Sequence, residues 1–123
     1  MPAPPIHVYI VIGDSALRTA FARVVQSARM EPRTFGSVEE FLHSHFSDVN
    51  ACVISDVDLP GASGLALPGL IAQAGQHLPV ILFSEDDKPE ERTRARRDGV
   101  TAYFRKPIDA QALLDAIAWA LTT

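Results

Sequence analysis

Five short runs, most of them strongly apolar, divide the chain, and each ends in polar or turn-forming residues. They show no regular alternation of polar and apolar positions, which is typical of strands buried on both faces. The predicted strands cover residues 6–12, 33–35, 51–56, 79–83 and 100–104. The segments between them repeat apolar residues at helical spacing. Strands that alternate with helices predict one α/β domain, a doubly wound parallel sheet of five strands.

Capping residues indicate where the predicted helices begin. The first helix is expected to run as far as Glu31-Pro32, and the third, over 65–74, to start irregularly because Pro68 fits only in a first turn. The predicted caps are Asp14 or Ser15, then Ser37 in a capping box, Asp87 and Asp109.

Composition narrows the class of protein. The chain has 123 residues, which suits a single domain, predicted over 6–123. The proline-rich residues 1–5 are predicted to be disordered. A net charge of −4 gives no nucleic-acid footprint, and the single cysteine, Cys52, excludes a disulfide framework. No apolar run approaches the length of a membrane span, and the start lacks a secretion signal. A cytoplasmic protein without membrane association is therefore expected.

Chemically capable residues follow four of the predicted strands. The carboxyl ends of parallel strands meet at one edge of a sheet, where such folds place their ligands. The residues that reach this edge are Gly13-Asp14, Asp56-Val57-Asp58, Ser84-Glu85 and Lys106-Pro107. A carboxylate can be a nucleophile, a hydroxyl can bond a phosphate oxygen, and an ammonium can offset negative charge. The set favours a site that handles a phosphoryl group.

These residues make the chain similar, over nearly its whole length, to the receiver domain of bacterial two-component response regulators. The matching marks are Asp56, Pro60, Gly64, Ser84, Tyr103 and Lys106-Pro107. The resemblance implies a flavodoxin-like fold with strand order 2-1-3-4-5 and a cis Lys106-Pro107 bond. It also implies that Asp56 is the phosphoacceptor for a histidine kinase or phosphotransfer protein.

The same resemblance implies a conformational switch rather than an enzyme. Ser84 and Lys106 would contact the phosphoryl group, and Ser84 and Tyr103 would then shift. That shift would change the face formed by helix four, strand five and helix five, which a downstream protein contacts in this family.

One departure from the family concerns the metal. The family carries two acidic residues after strand one, which hold Mg²⁺ together with the acceptor aspartate. Here Ile12 and Gly13 occupy those positions, and Asp14 follows one place later, where it is expected to cap the helix. Asp56 and Lys106 alone sum to zero charge, which attracts a divalent cation weakly. Mg²⁺ binding is therefore expected to be weakened or absent.

Partial replacement of the metal ligands is left open by the sequence. The remaining candidates are Asp56 with the backbone of Asp58, supplemented by Asp14 or Glu85.

Several alternatives stay open. A degenerate receiver would bind a partner without phosphorylation and with weak or no Mg²⁺ binding. A nucleotide-binding domain is less favoured because no Gly-rich loop follows strand one. An independent enzyme is also less favoured, because no base is paired with a nucleophile. Trp119 is expected to pack within the domain, whereas an exposed Trp119 would suggest an interface. A homodimer is open, as is membership of a longer protein. Either solvent or an acidic partner could cover the basic face formed by Arg92, Arg94, Arg96, Arg97 and Arg105.

Overall fold

A five-stranded parallel sheet forms the centre of the protein, in the order β2-β1-β3-β4-β5. The computed structural model describes residues 4–122, so residues 1–3 of the predicted disordered segment lie outside the described residues. The strands are β1 His7–Val11, β2 Glu31–Phe35, β3 Ala51–Asp56, β4 Val80–Ser84 and β5 Ala102–Arg105. The predicted fold class and the strand order implied by the resemblance are confirmed.

A helix connects each strand to the next, as parallel pairing requires. The helices are α1 Ser15–Ser27, α2 Val38–His43, α3 Leu67–Gln73, α4 Pro89–Arg97 and α5 Ala110–Thr122. A 3₁₀ turn, Gly64–Ala66, precedes α3, and Pro68 lies in the first turn of that helix. A proline is tolerated there because the first N–H groups of a helix have no partner within it. The predicted irregular start is confirmed.

Three of the predicted caps bond the helix that they precede. The Asp14 carboxylate accepts from the N–H groups of Ala16 and Leu17 at 2.8 and 3.1 Å. The Ser37 hydroxyl accepts from the Glu40 N–H at 3.0 Å, and the Asp109 carboxylate from the Ala112 N–H at 3.0 Å. Such caps satisfy N–H groups that the helix itself leaves unpaired, which is why these short segments begin where they do.

Several element boundaries differ from the predictions, those of β1 and β4 by one residue at each end. The helix α1 ends at Ser27, and Glu31-Pro32 belongs to β2, because the chain reverses at Arg29 with a φ of 62°. Pro32 is tolerated in a strand here because β2 lies at the edge of the sheet. The strand β5 begins at Ala102 rather than at residue 100.

The predicted cap of α4 is wrong. Lys88 occupies the N-cap position without a side-chain hydrogen bond. Asp87 instead bonds Arg92, with its Oδ1 atom 2.9 Å from Nε and 2.7 Å from Nη2. Two guanidinium nitrogens contact the same carboxylate oxygen, and this charge-assisted interaction replaces the predicted bond to the helix N–H groups.

Two apolar layers cover the sheet. One contains Phe41 of α2 and Ile71 of α3, and the other contains Phe21 of α1 and Ile117 of α5. Cys52 lies in the second layer, where burial raises the pKa of its thiol to about 12. Because β3 is buried along its whole length, the carboxylate at its end is held by a rigid support. Within residues 4–122, no helix has both the length and the apolar character needed to cross a membrane.

Candidate phosphoryl-handling site

Asp56 is the last residue of β3, and its side chain is only 7% exposed. The Oδ2 atom lies 2.5 Å from the ammonium of Lys106, and Oδ1 accepts from the N–H of Asp58 at 2.9 Å. Both carboxylate oxygens therefore have a partner, as a buried charge requires. The structure brings Asp56 and Lys106 together although 50 residues separate them.

The loop between β3 and α3, residues 57–63, folds back over the end of its own strand. The N–H of Gly64 donates to the Val57 carbonyl at 3.2 Å, and the hydroxyl of Ser63 donates to the same oxygen at 3.1 Å. A Cβ atom on Gly64 would lie 2.3 Å from the Asp56 carbonyl oxygen. Only glycine permits this close approach of backbone to backbone.

Lys106 reaches the site from the loop after β5. Its N–H donates to the Ser84 carbonyl at 2.9 Å, and its ammonium lies 5.6 Å from the centre of the Phe83 ring. The following peptide, Lys106-Pro107, is cis, as the resemblance implies. The backbone bond to β4 places the lysine beside the end of β3.

Two buried hydroxyl groups on the neighbouring strands have no hydrogen-bond partner among the described residues. They belong to Ser84, the last residue of β4, and Tyr103 of β5. Burial raises the pKa of Tyr103; the nearby Ser84 hydroxyl opposes that shift, although the two groups do not meet in hydrogen-bond geometry. An unpaired buried hydroxyl is costly, which favours an acceptor group arriving at this position.

The end of β1 has no carboxylate facing the site. Ile12 is fully buried in the apolar layer that contains α1 and α5, and Gly13 has no side chain. Asp14 uses its carboxylate to cap α1. The prediction that Asp14 caps a helix is therefore confirmed.

Mg²⁺ does not fit the donor set of this site. Among residues 4–122, no group of three or more His, Cys, Asp or Glu side chains could hold a metal ion. Asp58 and Glu85 follow β3 and β4 but are exposed, and the structure does not gather them with Asp56 into such a group. The Lys106 ammonium already balances the charge of Asp56, and Mg²⁺ requires oxygen ligands in near-octahedral geometry.

Two side chains that the sequence does not single out bond the backbone on this side. The Nη1 atom of Arg18 donates to the carbonyls of Ile12 and Gly13, at 2.7 and 3.3 Å. Glu39 of α2 accepts from the N–H of Ala62 at 2.9 Å, and this bond lowers the pKa of its carboxyl. Both side chains bond backbone atoms, which every residue has, so no pattern of residue types in the sequence could predict these two contacts.

Within the basic face predicted on α4 and β5, Arg92 contacts Tyr103, whereas Arg94 and Arg97 pair with Asp98. The guanidinium of Arg92 lies 4.7 Å from the centre of the Tyr103 ring and donates to the Tyr103 carbonyl at 3.3 Å. The pair with Asp87 holds it there. On α5, Trp119 is 61% exposed, so the expectation that it packs within the domain is wrong, and the interface alternative stays a prediction.

The comparisons with known proteins agree on one family. The model of the response regulator receiver domain matches residues 8–118. The chain is 34% identical over 110 residues to Nodulation protein W of Bradyrhizobium diazoefficiens, covering 89% of this chain and 48% of that protein. It is 36% identical over 111 residues to Response regulator protein FleR of Pseudomonas aeruginosa, covering 90% and 24%. The chain thus spans half or less of the length of these relatives.

Solved structures show the same fold. The crystal structure of FixJ-N superposes with a TM-score of 0.87 at 20% identity, covering 98% of this chain and 96% of that chain. The response regulator StyR superposes with a TM-score of 0.87 at 28% identity, covering 97% and 60%.

Proposed function

Because the chain belongs to the response-regulator receiver family, we propose that it is a two-component signalling module in which Asp56 is the phosphoacceptor. The donor in this proposal is a histidine kinase or a phosphotransfer protein. The main support is the ion pair of Asp56 with Lys106 beside the unpartnered hydroxyl of Ser84. A nucleophilic carboxylate, an ammonium and a hydroxyl are suited to accept and hold a phosphoryl group.

The reaction follows from these three groups. A carboxylate oxygen of Asp56 attacks the phosphorus atom of a phosphohistidine, forming an acyl phosphate. The P–N bond breaks, and the histidine nitrogen leaves with the bonding electron pair. Lys106 exchanges its contact with the carboxylate for a phosphoryl oxygen, and Ser84 donates to another. Because the donor set does not fit Mg²⁺, these side chains carry the charge stabilisation alone, and the transfer is expected to be slow.

The output of the module is a change in the face formed by α4, β5 and α5. Movement of Ser84 towards a phosphoryl oxygen makes room beside it for the Tyr103 hydroxyl. Tyr103 is coupled to α4 through Arg92, which contacts both its ring and its carbonyl. A groove of about 270 Å³ between α4 and β5 is lined by Arg92, Arg96 and Tyr103. A downstream protein that docks on this face would detect the change.

A second candidate function has its own supporting observation. The two positions that are acidic in the family are a core isoleucine, Ile12, and a glycine, Gly13. A receiver without these carboxylates can still present the same α4-β5-α5 face. In this alternative, the module binds its partner whether or not Asp56 is phosphorylated.

Intact-mass measurement tests the first function, and partner binding tests the second. The protein is incubated with phosphoramidate, a small donor that carries the same P–N bond, and the Asp56→Asn variant serves as the control. A phosphoryl adduct on the wild type that is absent from the variant supports the first function. An unmodified wild type contradicts it. Partner binding retained by Asp56→Asn then supports the second function, and partner binding lost in that variant excludes it.

A further inference from the structure

Two side chains each bond one of the backbone segments that border Asp56: Arg18 of α1 bonds the end of β1, and Glu39 of α2 bonds the β3–α3 loop. We infer that Arg18 and Glu39 are positioning residues, which hold the end of β1 and the β3–α3 loop around Asp56 where the family uses a divalent cation. The inference concerns the geometry of the site, so it stands whether or not Asp56 accepts a phosphoryl group.

In the family, the bound cation connects backbone segments that these two side chains bond separately here. A cation bound by carboxylates at positions 12 and 13, by Asp56 and by the loop backbone would tie the end of β1 to the loop after β3. In this chain those positions are Ile12 and Gly13, and the donor set does not fit Mg²⁺. Without that tie, each segment is bonded by a separate side chain, and the two segments pack against each other at Gly13.

Arg18 forms the first bridge, at the end of β1. Its guanidinium reaches back from the second turn of α1 and donates to the carbonyl of Ile12 at 2.7 Å and to that of Gly13 at 3.3 Å. A charged donor forms stronger hydrogen bonds than a neutral one. The bridge therefore restrains the two residues that stand where the family has its acidic pair.

Glu39 forms the second bridge, from α2 to the loop. Its Oε2 atom accepts from the N–H of Ala62 at 2.9 Å, across 23 residues of sequence. It lies so close to the loop that a Cβ on Gly61 would come within 2.6 Å of it. Gly61 has a φ of 77°, a conformation that glycine adopts without strain. The loop is therefore shaped to receive this carboxylate.

The two bridged segments meet directly. A Cβ placed on Gly13 would lie 3.4 Å from Cδ of Pro60 and 4.0 Å from Cδ2 of Leu59, so the loop passes over the end of β1. The same loop provides the N–H of Asp58 that donates to Asp56 Oδ1. Restraining the loop therefore also restrains the orientation of the Asp56 carboxylate.

Amide NMR and hydrogen exchange test the inference, on the full chain in EDTA and in millimolar Mg²⁺. We expect the Ala62 and Asp58 amides of the wild type to be equally protected in both buffers. Glu39→Gln should exchange about tenfold faster at Ala62, because a neutral amide is a weaker acceptor than a carboxylate. Both Glu39→Gln and Arg18→Gln should shift or broaden the Asp58 resonance, which reports on the Asp56 carboxylate.

Matched controls separate positioning from general loosening. Glu40→Gln changes a neighbouring carboxylate that bonds Gly36 rather than the loop, and Arg23→Gln changes an exposed arginine on the same helix as Arg18. Neither should affect Asp58. Protection of the wild-type loop only in Mg²⁺ would overturn the inference, as would an Asp58 resonance that neither bridge variant changes.

Discussion

The two sides of the sheet edge around Asp56 differ in which family residues they contain. At the ends of β3, β4 and β5, Asp56, Ser84 and Lys106 stand where the receiver resemblance requires them. At the end of β1, the acidic pair of the family is absent; Arg18 bonds the backbone there, and Glu39 bonds the loop that passes over it. The β3–β5 side therefore has the side chains that the resemblance implies, whereas the β1 side lacks the acidic pair. In this fold, the contacts that position the Asp56 carboxylate do not depend on that acidic pair.

The largest expected effect comes from disrupting the β3 side of this comparison. In Gly64→Ala, the new methyl group would lie 2.3 Å from the Asp56 carbonyl oxygen and 2.8 Å from Ser55 Oγ. Because backbone atoms cannot yield easily, we expect a loss of about 3 kcal/mol in the free energy of unfolding, measured in urea. Gly69→Ala, where a Cβ meets nothing within 4 Å, is the control and should gain about 0.5 kcal/mol. Equal stabilities of the two variants would contradict the tight loop.

A smaller effect is expected when the counter-charge of Asp56 is removed. Lys106→Met leaves a carboxylate that is 7% exposed without its ammonium partner. The unpaired charge should cost about 2 kcal/mol, less than a fully buried pair because the lysine itself is partly exposed. Thermal or urea unfolding measures the loss. The double variant Lys106→Met/Asp56→Asn should recover most of it, and Arg105→Met should change stability by less than about 0.5 kcal/mol. Failure of the double variant to recover would mean that the lysine acts through packing.

The contribution of the missing carboxylates at the end of β1 can be tested by restoring one of them. In Gly13→Asp, the Cβ makes ordinary contact with Pro60, so the variant should fold, and its carboxylate joins Asp56 near the end of β1. We expect Mg²⁺ to bind about tenfold more tightly than to the wild type, because cation affinity rises with the number of charged ligands. Titration followed by amide NMR measures the affinity. Gly13→Asn is the isosteric control, and equal affinities of the Asp and Asn variants would show that charge is not the missing element.

The smallest effect concerns the pH dependence of the Glu39 bridge. The Ala62 hydrogen bond, as the largest cause, holds the pKa of Glu39 below its ordinary value of 4.5. A lowered pKa in the folded state means that the bridge contributes fully above pH 4.5 and is lost as the pH falls through the folded value. Hydrogen exchange at Ala62 should accelerate in that window in the wild type. In Glu39→Gln the exchange should follow only the intrinsic pH dependence, and identical profiles would exclude the bridge.

The alternation of apolar runs and amphipathic segments was sufficient to predict the sheet, since a strand buried on both faces leaves a continuous apolar run such as 51–56. The end of α1 could not be predicted, because Arg29 adopts a positive φ that only a few non-glycine residues do. The prediction that Asp87 caps α4 was wrong because Arg92, five residues away, bonds the same carboxylate.

The sequence predicted those site residues that lie at the ends of strands. Parallel strands bring their last residues to one edge, so Asp56, Ser84 and Lys106 could be grouped from the sequence. Arg18 and Glu39 could not, since each bonds main-chain atoms that every residue carries. Their roles depend on how tightly the loop packs over β1, which only the folded structure defines.

Trp119 is the only tryptophan of the chain, and it lies on α5 with 61% of its surface exposed. An indole that is already hydrated emits almost as it does in an unfolded chain, so its fluorescence is a poor indicator of denaturation. Contact with another protein at this helix would remove water from the ring and move the emission to shorter wavelength. A partner that docks at α5 would therefore be detected by the emission of Trp119, without an added dye.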